Sequence, residues 1–211
     1  MDGNARWAEA RGLPVLAGHR QGAKVLKQTV KDAVNLGIGE LTVYAFSTEN
    51  WRRPKDEVEG LMEMFAELID SETPELNEEG VRMRFIGRRD GVSERLRGRM
   101  NWAEAETAGN ARMHLFVAFN YGGRAEILDA AAKFEGGSEE DFRRLLYAPE
   151  MSDPDVLIRT SGEIRTSNFL LWQCAYSELV FTETLWPDFS EDDLRAALEE
   201  YEARGRRFGA R

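Results

Sequence analysis

The chain has 211 residues, 42% hydrophobic and 10% aromatic, with a formal net charge of −10. That length and composition suit one globular domain with a full core and exclude a disordered chain. The acid excess excludes general nucleic-acid binding, which needs a basic face, but leaves room for a local arginine cluster on a small anion.

A single cysteine, Cys174, excludes a disulfide framework or a cysteine metal cluster and fits a reducing, cytoplasmic setting; a buried structural thiol is expected. No apolar run approaches the length of a membrane span. The chain opens on Met1-Asp2-Gly3-Asn4-Ala5-Arg6-Trp7, which places an acid, a turn glycine, an amide and an arginine ahead of a helical pattern. Those residue types suit a polyanion with a metal: a carboxylate for Mg²⁺, open backbone N–H groups and a guanidinium for phosphate. A ragged polar terminus has the same composition, so the rest of the chain decides.

After Gly18-His19-Arg20-Gln21-Gly22, the spacing of Ala23, Leu26, Val30, Ala33 and Val34 predicts a helix, with Gly37 at its stop. A buried strand over 41–46 runs into the polar loop Ser47-Thr48-Glu49-Asn50-Trp51-Arg52-Arg53-Pro54. An amphipathic helix over 57–77 follows, with Val58, Leu61, Met62, Phe65, Leu68 and Ile69 on one face. Residues 81–86 form a strand closed by Gly87, and 93–107 carry a weaker, charged helical pattern. A strand over 113–119 ends in the turn Asn120-Tyr121-Gly122-Gly123-Arg124, ahead of another helix. Residues 135–154 are linker-like, with one short acidic helix. A strand over 155–158 leads into Arg159-Thr160-Ser161-Gly162-Glu163-Ile164-Arg165-Thr166-Ser167-Asn168. A short strand over 179–181 and a helix over 191–204, burying Leu194, Ala197, Leu198 and Tyr201, complete the pattern.

Strands alternating with helices predict a single α/β domain around a mostly parallel central sheet flanked by helices. Ligands of such sheets bind beyond the carboxyl ends of the strands. Three of the polar loops stand there, and so does the opening stretch if it is the tail of a strand, so the loops are expected to converge on one crevice. They carry Arg6, Arg53, Arg159 and Arg165 with Ser47, Thr166 and Ser167, a donor set suited to phosphate oxygens. Asp2 and Glu178 are candidate Mg²⁺ ligands. Against this, each arginine alone is an ordinary surface residue. There is no P-loop, no G-x-G-x-x-G after a strand and no nucleophile elbow. His114 alternates within a strand and reads as structural; His19, at a helix start, could donate to an anion. The apolar helix faces read as core, a tunnel for a hydrophobic ligand being the less common alternative.

Five stretches together resemble the cis-prenyltransferases of the bacterial undecaprenyl diphosphate synthase type. They are the opening stretch, the run from Tyr44-Ala45-Phe46 through the Ser47–Pro54 loop, Asn120-Tyr121-Gly122-Gly123-Arg124, Ile158-Arg159-Thr160-Ser161-Gly162-Glu163 and Leu185-Trp186-Pro187-Asp188-Phe189. The resemblance covers essentially the whole chain. It implies condensation of isopentenyl diphosphate onto an allylic diphosphate such as farnesyl or geranyl diphosphate, each new double bond cis, by a Mg²⁺-dependent homodimer. It makes Asp2 the essential acid for metal and diphosphate, and Gly3, Asn4, Arg6 and His19 the cradle of the allylic diphosphate. Ser47, Glu49, Asn50, Trp51 and Arg53 would lie on a loop closing over substrates. Arg159, Arg165 and Ser167 would hold isopentenyl diphosphate, and Glu178 would be a second metal ligand, supplied by the same chain or the dimer partner. Ala5, Trp7, Thr48 and Thr166 complete the implied substrate-binding positions. Arg207-Phe208-Gly209 matches the C-terminal Arg-x-Gly motif of competent members. The pattern makes Asn50 catalytic; since a neutral amide is a very weak base, an orienting role is expected, with a carboxylate or diphosphate oxygen taking the proton.

The chain departs from the pattern in places. Ala5 replaces a usual glycine, Val15 a frequent arginine and Ile164 a usual His or Lys, and the 135–154 segment is short. Relatives place a β-strand ahead of Met-Asp-Gly-Asn, so an N-terminally truncated chain with Asp2 poorly supported is expected. A medium-length product for a cell-wall lipid carrier is the expected outcome, with peripheral membrane contact at product release. A short-chain cis-farnesyl enzyme or a non-catalytic subunit of a heteromeric prenyltransferase are the alternatives.

Overall fold

The structure is a computed structural model that describes residues 1–204, so Arg207-Phe208-Gly209 lies outside the described residues. In chain order the elements are α1 (Asn4–Glu9), α2 (Val15–Asn35), β1 (Glu40–Ser47), α3 (Lys55–Glu78), β2 (Val81–Ile86), α4 (Glu94–Glu106), β3 (Met113–Tyr121), α5 (Gly123–Ala131), α6 (Glu139–Arg143), β4 (Val156–Arg159), β5 (Glu178–Phe181) and α7 (Glu191–Ala203). Contacts divide the chain into two compact units. One is Met1–Thr29 with the chain from Ser152 onward, the other Val30–Met151.

In the second unit β1, β3 and β2 form an all-parallel sheet in that order. The central strand β3 is buried at Leu115, Phe116, Val117, Ala118 and Phe119, the continuous apolar run a strand covered on both faces requires. The outer edge of β2 is closed by side chains at the end of α4. The Met83 N–H donates to Thr107 Oγ1 (2.9 Å) and the Phe85 N–H to Glu104 Oε1 (2.7 Å), which satisfies edge groups that would otherwise invite another strand. Leu61, Met62, Ala66 and Ile69 of α3 and Leu96, Met100 and Ala103 of α4 are buried in this unit.

Two irregularities break the register at the carboxyl end of this sheet. Tyr44 pairs with Ala118 and Phe46 with Phe119, so Ala45 is an extra residue in β1. Ser47 then pairs with Tyr121, so Asn120 is an extra residue in β3. Bulges of this kind re-aim a side chain near the end of a strand.

In the first unit β4 and β5 form a parallel pair, with Val156 opposite Glu178 and Arg159 opposite Phe181, and α7 packs against both strands. The mixed α/β class, the parallel strands and the flanking helices agree with the sequence reading. The strands differ from it in forming two hydrogen-bonded sheets, because β4 and β5 pair with each other and with no other described strand.

Element boundaries shift in three instructive places. Helix α2 begins at Val15, not after Gly22. Pro14 precedes it and accepts the Ala17 N–H (2.8 Å), a role for which proline's fixed φ is prepared. The early part of α2 turns glycines instead of aliphatic side chains to its neighbours, so an apolar period cannot reveal it. Its C-terminus ends at Gly37 as predicted, with the Ile38 N–H on the Ala33 carbonyl (3.0 Å). Strand β3 runs on through Asn120 and Tyr121, and the loop after β1 is a short 3₁₀ turn over Thr48–Arg52. No described helix is long and apolar enough to cross a membrane.

Candidate active site

The opening residues are bound tightly to the end of β4. The Asp2 N–H donates to Thr160 Oγ1 (2.9 Å), and the same hydroxyl donates to the Asp2 carbonyl (2.9 Å). The Trp186 N–H also donates to that carbonyl (2.9 Å). The poor support expected for Asp2 is therefore corrected: Thr160 and Trp186 hold its backbone. Gly3 follows, buried with φ +102, where a Cβ would stand 2.8 Å from Leu185 Cδ2; only glycine meets both demands. Helix α1 starts directly behind it and includes Ala5, so the alanine in the usual glycine place sits at an ordinary helical φ.

The Asp2 carboxylate accepts from the Gly3 N–H through Oδ1 (2.7 Å) and from Arg159 Nη2 through Oδ2 (2.9 Å). Its side chain keeps 41% of its surface exposed. Burial works to raise its pKa. The Arg159 hydrogen bond, the Gly3 N–H and the nearby positive charge outweigh that and hold it below the usual range. Arg159 itself is only 12% exposed and directs Nη1 to Ser167 Oγ (2.5 Å) and the Arg165 carbonyl. Arg6 donates to Ser161 Oγ (2.6 Å) and the Ser161 carbonyl (3.1 Å), 3.8 Å from Asp2 and 3.7 Å from Glu163. Arg165 pairs with Glu163 on the surface. Three guanidiniums thus meet two carboxylates, an excess of one positive charge that suits an incoming polyanion.

Backbone strain gathers here too. Of five described non-glycine residues with positive φ, four lie on this loop: Ser161, Ser167, Asn168 and Leu170. Such conformations persist where surrounding structure imposes them, often at binding sites. Trp7 spends its indole N–H on Asp188 Oδ1 (2.6 Å) beneath the Arg11 guanidinium (4.2 Å). Thr160, Ser161, Trp186 and Asp188 carry much of this arrangement, and sequence reasoning gave them no role. Two hydroxyls directly after a strand that ends in arginine were the signal that could have found the first two.

Other expected residues make contacts of their own. His19 lies inside α2, half-buried, because that helix starts at Val15, so it does not occupy a helix N-terminus. Gly18 and Gly22 of the same helix face Asn4: a Cβ on Gly18 would come within 2.0 Å of the Asn4 carbonyl oxygen, and one on Gly22 within 2.2 Å of Asn4 Oδ1. Thr166 accepts the Phe169 N–H through its carbonyl, Ile164 is exposed, and Cys174 is half-buried with its thiol pKa raised by burial. Glu178 starts β5 and pairs with Arg204 (2.9 Å). Asp2 is tied to the other end of the strand pair, at Arg159, roughly 10 Å along it. The two carboxylates are not brought together within this chain.

The second unit holds its own candidate loop. Asn50 Oδ1 accepts the Ser47 N–H (3.0 Å), closing the 3₁₀ turn, and the Asn50 carbonyl accepts the Arg53 N–H (3.1 Å). Arg53 pairs with Glu57 at the start of α3 (3.2 Å). Thr48 and Glu49 form the first residues of the turn, with Glu49 exposed. Trp51 packs edge-on against Phe46 (5.1 Å between centroids) and donates its indole N–H to Asn120 Oδ1 (2.7 Å). The Tyr44 hydroxyl donates to the Tyr121 carbonyl (3.1 Å), its pKa raised by burial and then by the charge of Glu49.

A protein-family model described as "Putative undecaprenyl diphosphate synthase" matches residues 1–209. The chain is 52% identical to an isoprenyl transferase of Thermotoga maritima, covering 99% of this chain and 94% of that one. It is 50% identical to an isoprenyl transferase of Bacillus subtilis, covering 99% and 85%. Among solved structures, lavandulyl diphosphate synthase from Lavandula x intermedia, in complex with dimethylallyl diphosphate, superposes with a TM-score of 0.95 at 36% identity over 99% of this chain and 95% of that one. A "probable undecaprenyl diphosphate synthase" from Campylobacter jejuni gives 0.83 at 32% identity over 90% and 92%. With the family match running nearly end to end and the arginine-rich loop folded around Asp2, the chain belongs to the undecaprenyl diphosphate synthase family and is a cis-prenyltransferase enzyme.

Proposed function

We propose that this enzyme adds isopentenyl diphosphate to an allylic diphosphate primer, farnesyl or geranyl diphosphate, and repeats the addition to a medium-length polyprenyl diphosphate of the lipid-carrier kind. The observation that carries this reading is the half-open Asp2 carboxylate between Arg6 and Arg159, with Arg165 joined to the cluster through Glu163, in a chain of this family. Ionising an allylic diphosphate needs negative charge neutralised as it develops on the leaving group, and positioned guanidiniums do that without reorganisation. Arg159 is preset by Ser167 and the Arg165 carbonyl, and Arg6 by Ser161. The hydroxyls of Ser161 and Ser167 add donors.

The donor set fits Mg²⁺ in one particular way. No three acidic or histidine side chains gather among the described residues, so the chain builds no cage of its own. Asp2 offers a carboxylate with open lone pairs beside a polyanion site, and Mg²⁺ is ordinarily held by one or two carboxylates plus substrate phosphates and water. Asp2 would hold the ion, which when bound supplies charge neutralisation on the diphosphate. Glu178 contributes to such a site only from a second copy in a homodimer, given its place at the far end of β5.

Asn50 acts as a donor and not as a base. Its Oδ1 is occupied by the Ser47 N–H, which leaves Nδ2 as the group it offers a diphosphate oxygen. Ser47 and Arg53 stand on the same turn.

The second reading is a short-chain product. It is favoured by the likeness, at TM-score 0.95, to a synthase whose solved complex contains a short allylic diphosphate. Farnesyl diphosphate with labelled isopentenyl diphosphate and Mg²⁺, products resolved by length, tests both. A ladder of extended products is expected; label stopping after one addition selects the short-chain reading, and no incorporation overturns the proposal.

A further inference from the structure

Asn120 lies at the end of β3, is 4% exposed and has φ +48. It is the extra residue of the bulge between the Phe46–Phe119 and Ser47–Tyr121 pairs. The bulge turns its amide away from the ladder and directs its side-chain bonds to two places. Nδ2 donates to the Arg88 carbonyl (3.2 Å) and the Asp90 carbonyl (3.0 Å), while the Asn120 carbonyl accepts the Arg88 N–H (3.2 Å). The two Nδ2 bonds fix the amide plane against the segment that follows β2, and the backbone bond ties the strand end to the same segment. The remaining face, Oδ1, accepts the Trp51 indole N–H at 2.7 Å.

Trp51 sits in the turn that carries Ser47, Asn50 and Arg53. That turn is tied internally at Asn50, through the Ser47 and Arg53 N–H groups. The Trp51 indole ties the turn to the strand ends: it is packed on Phe46 and beside Gly91, where a Cβ would lie 3.6 Å from the ring, with its one polar atom on Asn120. Aromatic packing is tolerant of rotation and sliding; the hydrogen bond to a fixed amide is not. Asparagine is also suited to the left-handed φ at this bulge, where most other side chains are strained.

We infer that Asn120 is a positioning residue that latches the Ser47–Arg53 turn through the Trp51 indole, and so sets the fraction of enzyme whose turn is ready to receive substrate. This rests on the reading of that turn as part of the substrate site. Releasing the latch leaves the chemistry intact but lowers the binding-competent population, and apparent affinity falls by that fraction. One buried hydrogen bond corresponds to about a tenfold change in the equilibrium constant for latching, and so to as much as a tenfold fall in that fraction.

The test is a double-variant cycle with Trp51→Phe, which keeps the ring and deletes the donor, and Asn120→Gly, which removes the amide and relieves the positive φ. Each single variant is expected to raise KM for isopentenyl diphosphate about tenfold with kcat within about threefold of the parent, and the double variant to match the singles. Hydrogen exchange supplies a second readout: amides of 47–53 exchange faster in both variants while those of β3 stay protected. Effects that multiply to about a hundredfold in the double variant mean independent roles and overturn the latch. So does unchanged KM in folded, active variants, or unchanged exchange over 47–53. If Asn120→Gly fails to fold, Trp51→Phe alone still decides through the KM–kcat split and exchange. A parent enzyme that incorporates no isopentenyl diphosphate sinks the functional reading, and the exchange measurement then judges the latch separately.

Discussion

Two carboxylate–arginine pairs, one in each unit, show how differently the same chemistry can be used. Asp129 on α5 is gripped by Arg88 through two bonds, Nε at 2.9 Å and Nη2 at 2.6 Å, and Tyr147 adds a hydroxyl at 2.5 Å. Its pKa is lowered to about 2, chiefly by the Arg88 hydrogen bonds. Asp2 is also lowered, yet Arg159 gives it one bond and spends its other terminal nitrogen elsewhere. Asp129 accepts three bonds and Asp2 two, with 32% and 41% of their side chains exposed, so Asp2 keeps the larger share of unused acceptor capacity. A depressed carboxylate pKa therefore marks both a structural clamp and a candidate site, and unused hydrogen-bonding capacity tells them apart.

The sharpest way to break that comparison is to neutralise each acid. Asp2→Asn is expected to lower kcat for isopentenyl transfer about 10²–10³-fold, as loss of one charge-stabilising group does, with little change in urea midpoint. Asp129→Asn should do the reverse; a comparable activity loss there would erase the distinction. Next in size is Asn50→Asp, which keeps the oxygen for the Ser47 N–H but replaces the donor with an anion. About a hundredfold loss of activity is expected, and near-normal turnover with an unchanged pH profile would remove the donor role.

Gly22→Ala separates packing from propensity. Alanine stabilises a helix interior by roughly 1 kcal/mol over glycine, but here its Cβ would strike Asn4 Oδ1 and stand 2.9 Å from Trp186. A net loss of about 1–3 kcal/mol by denaturant unfolding is expected; a gain would mean Asn4 is not seated there. The smallest effect is the acid limb of stability. Because the folded pKa of Asp129 lies below its ordinary value, its contribution is complete above about pH 4 and is lost as pH falls toward about 2. The stability gap between parent and Asp129→Asn should therefore close over that window, followed by circular dichroism. A gap that persists at pH 2 would show that the charge is not its source.

Much of the element pattern was legible from residues alone. β2 ran over exactly the predicted 81–86, and α7 and the Gly37 stop followed the apolar period, because burial on one side writes itself into spacing. The early half of α2 escaped: its packed surface there is Gly18 and Gly22, which carry no hydrophobic signal. The end of β3 escaped because Asn120 and Tyr121 look like a turn until the bulge and its partners are seen. The polar stretches after the strands were legible too, but nothing in them singled out Thr160 and Ser161. A hydroxyl shows no sign in sequence of whether it faces water or a backbone 158 residues away.

What the sequence by itself determined is the α/β alternation, the charge types near each strand end and the family, since these reside in local spacing and in motifs. Only the tertiary structure decided how Asp2 is supported, that Asn50 has an occupied oxygen, that Glu178 lies apart from Asp2 within the chain, and that Asn120 answers to Trp51. Each of these depends on which atoms share a hydrogen bond, and a hydrogen bond is settled by distance and direction in space, to which residue order is blind.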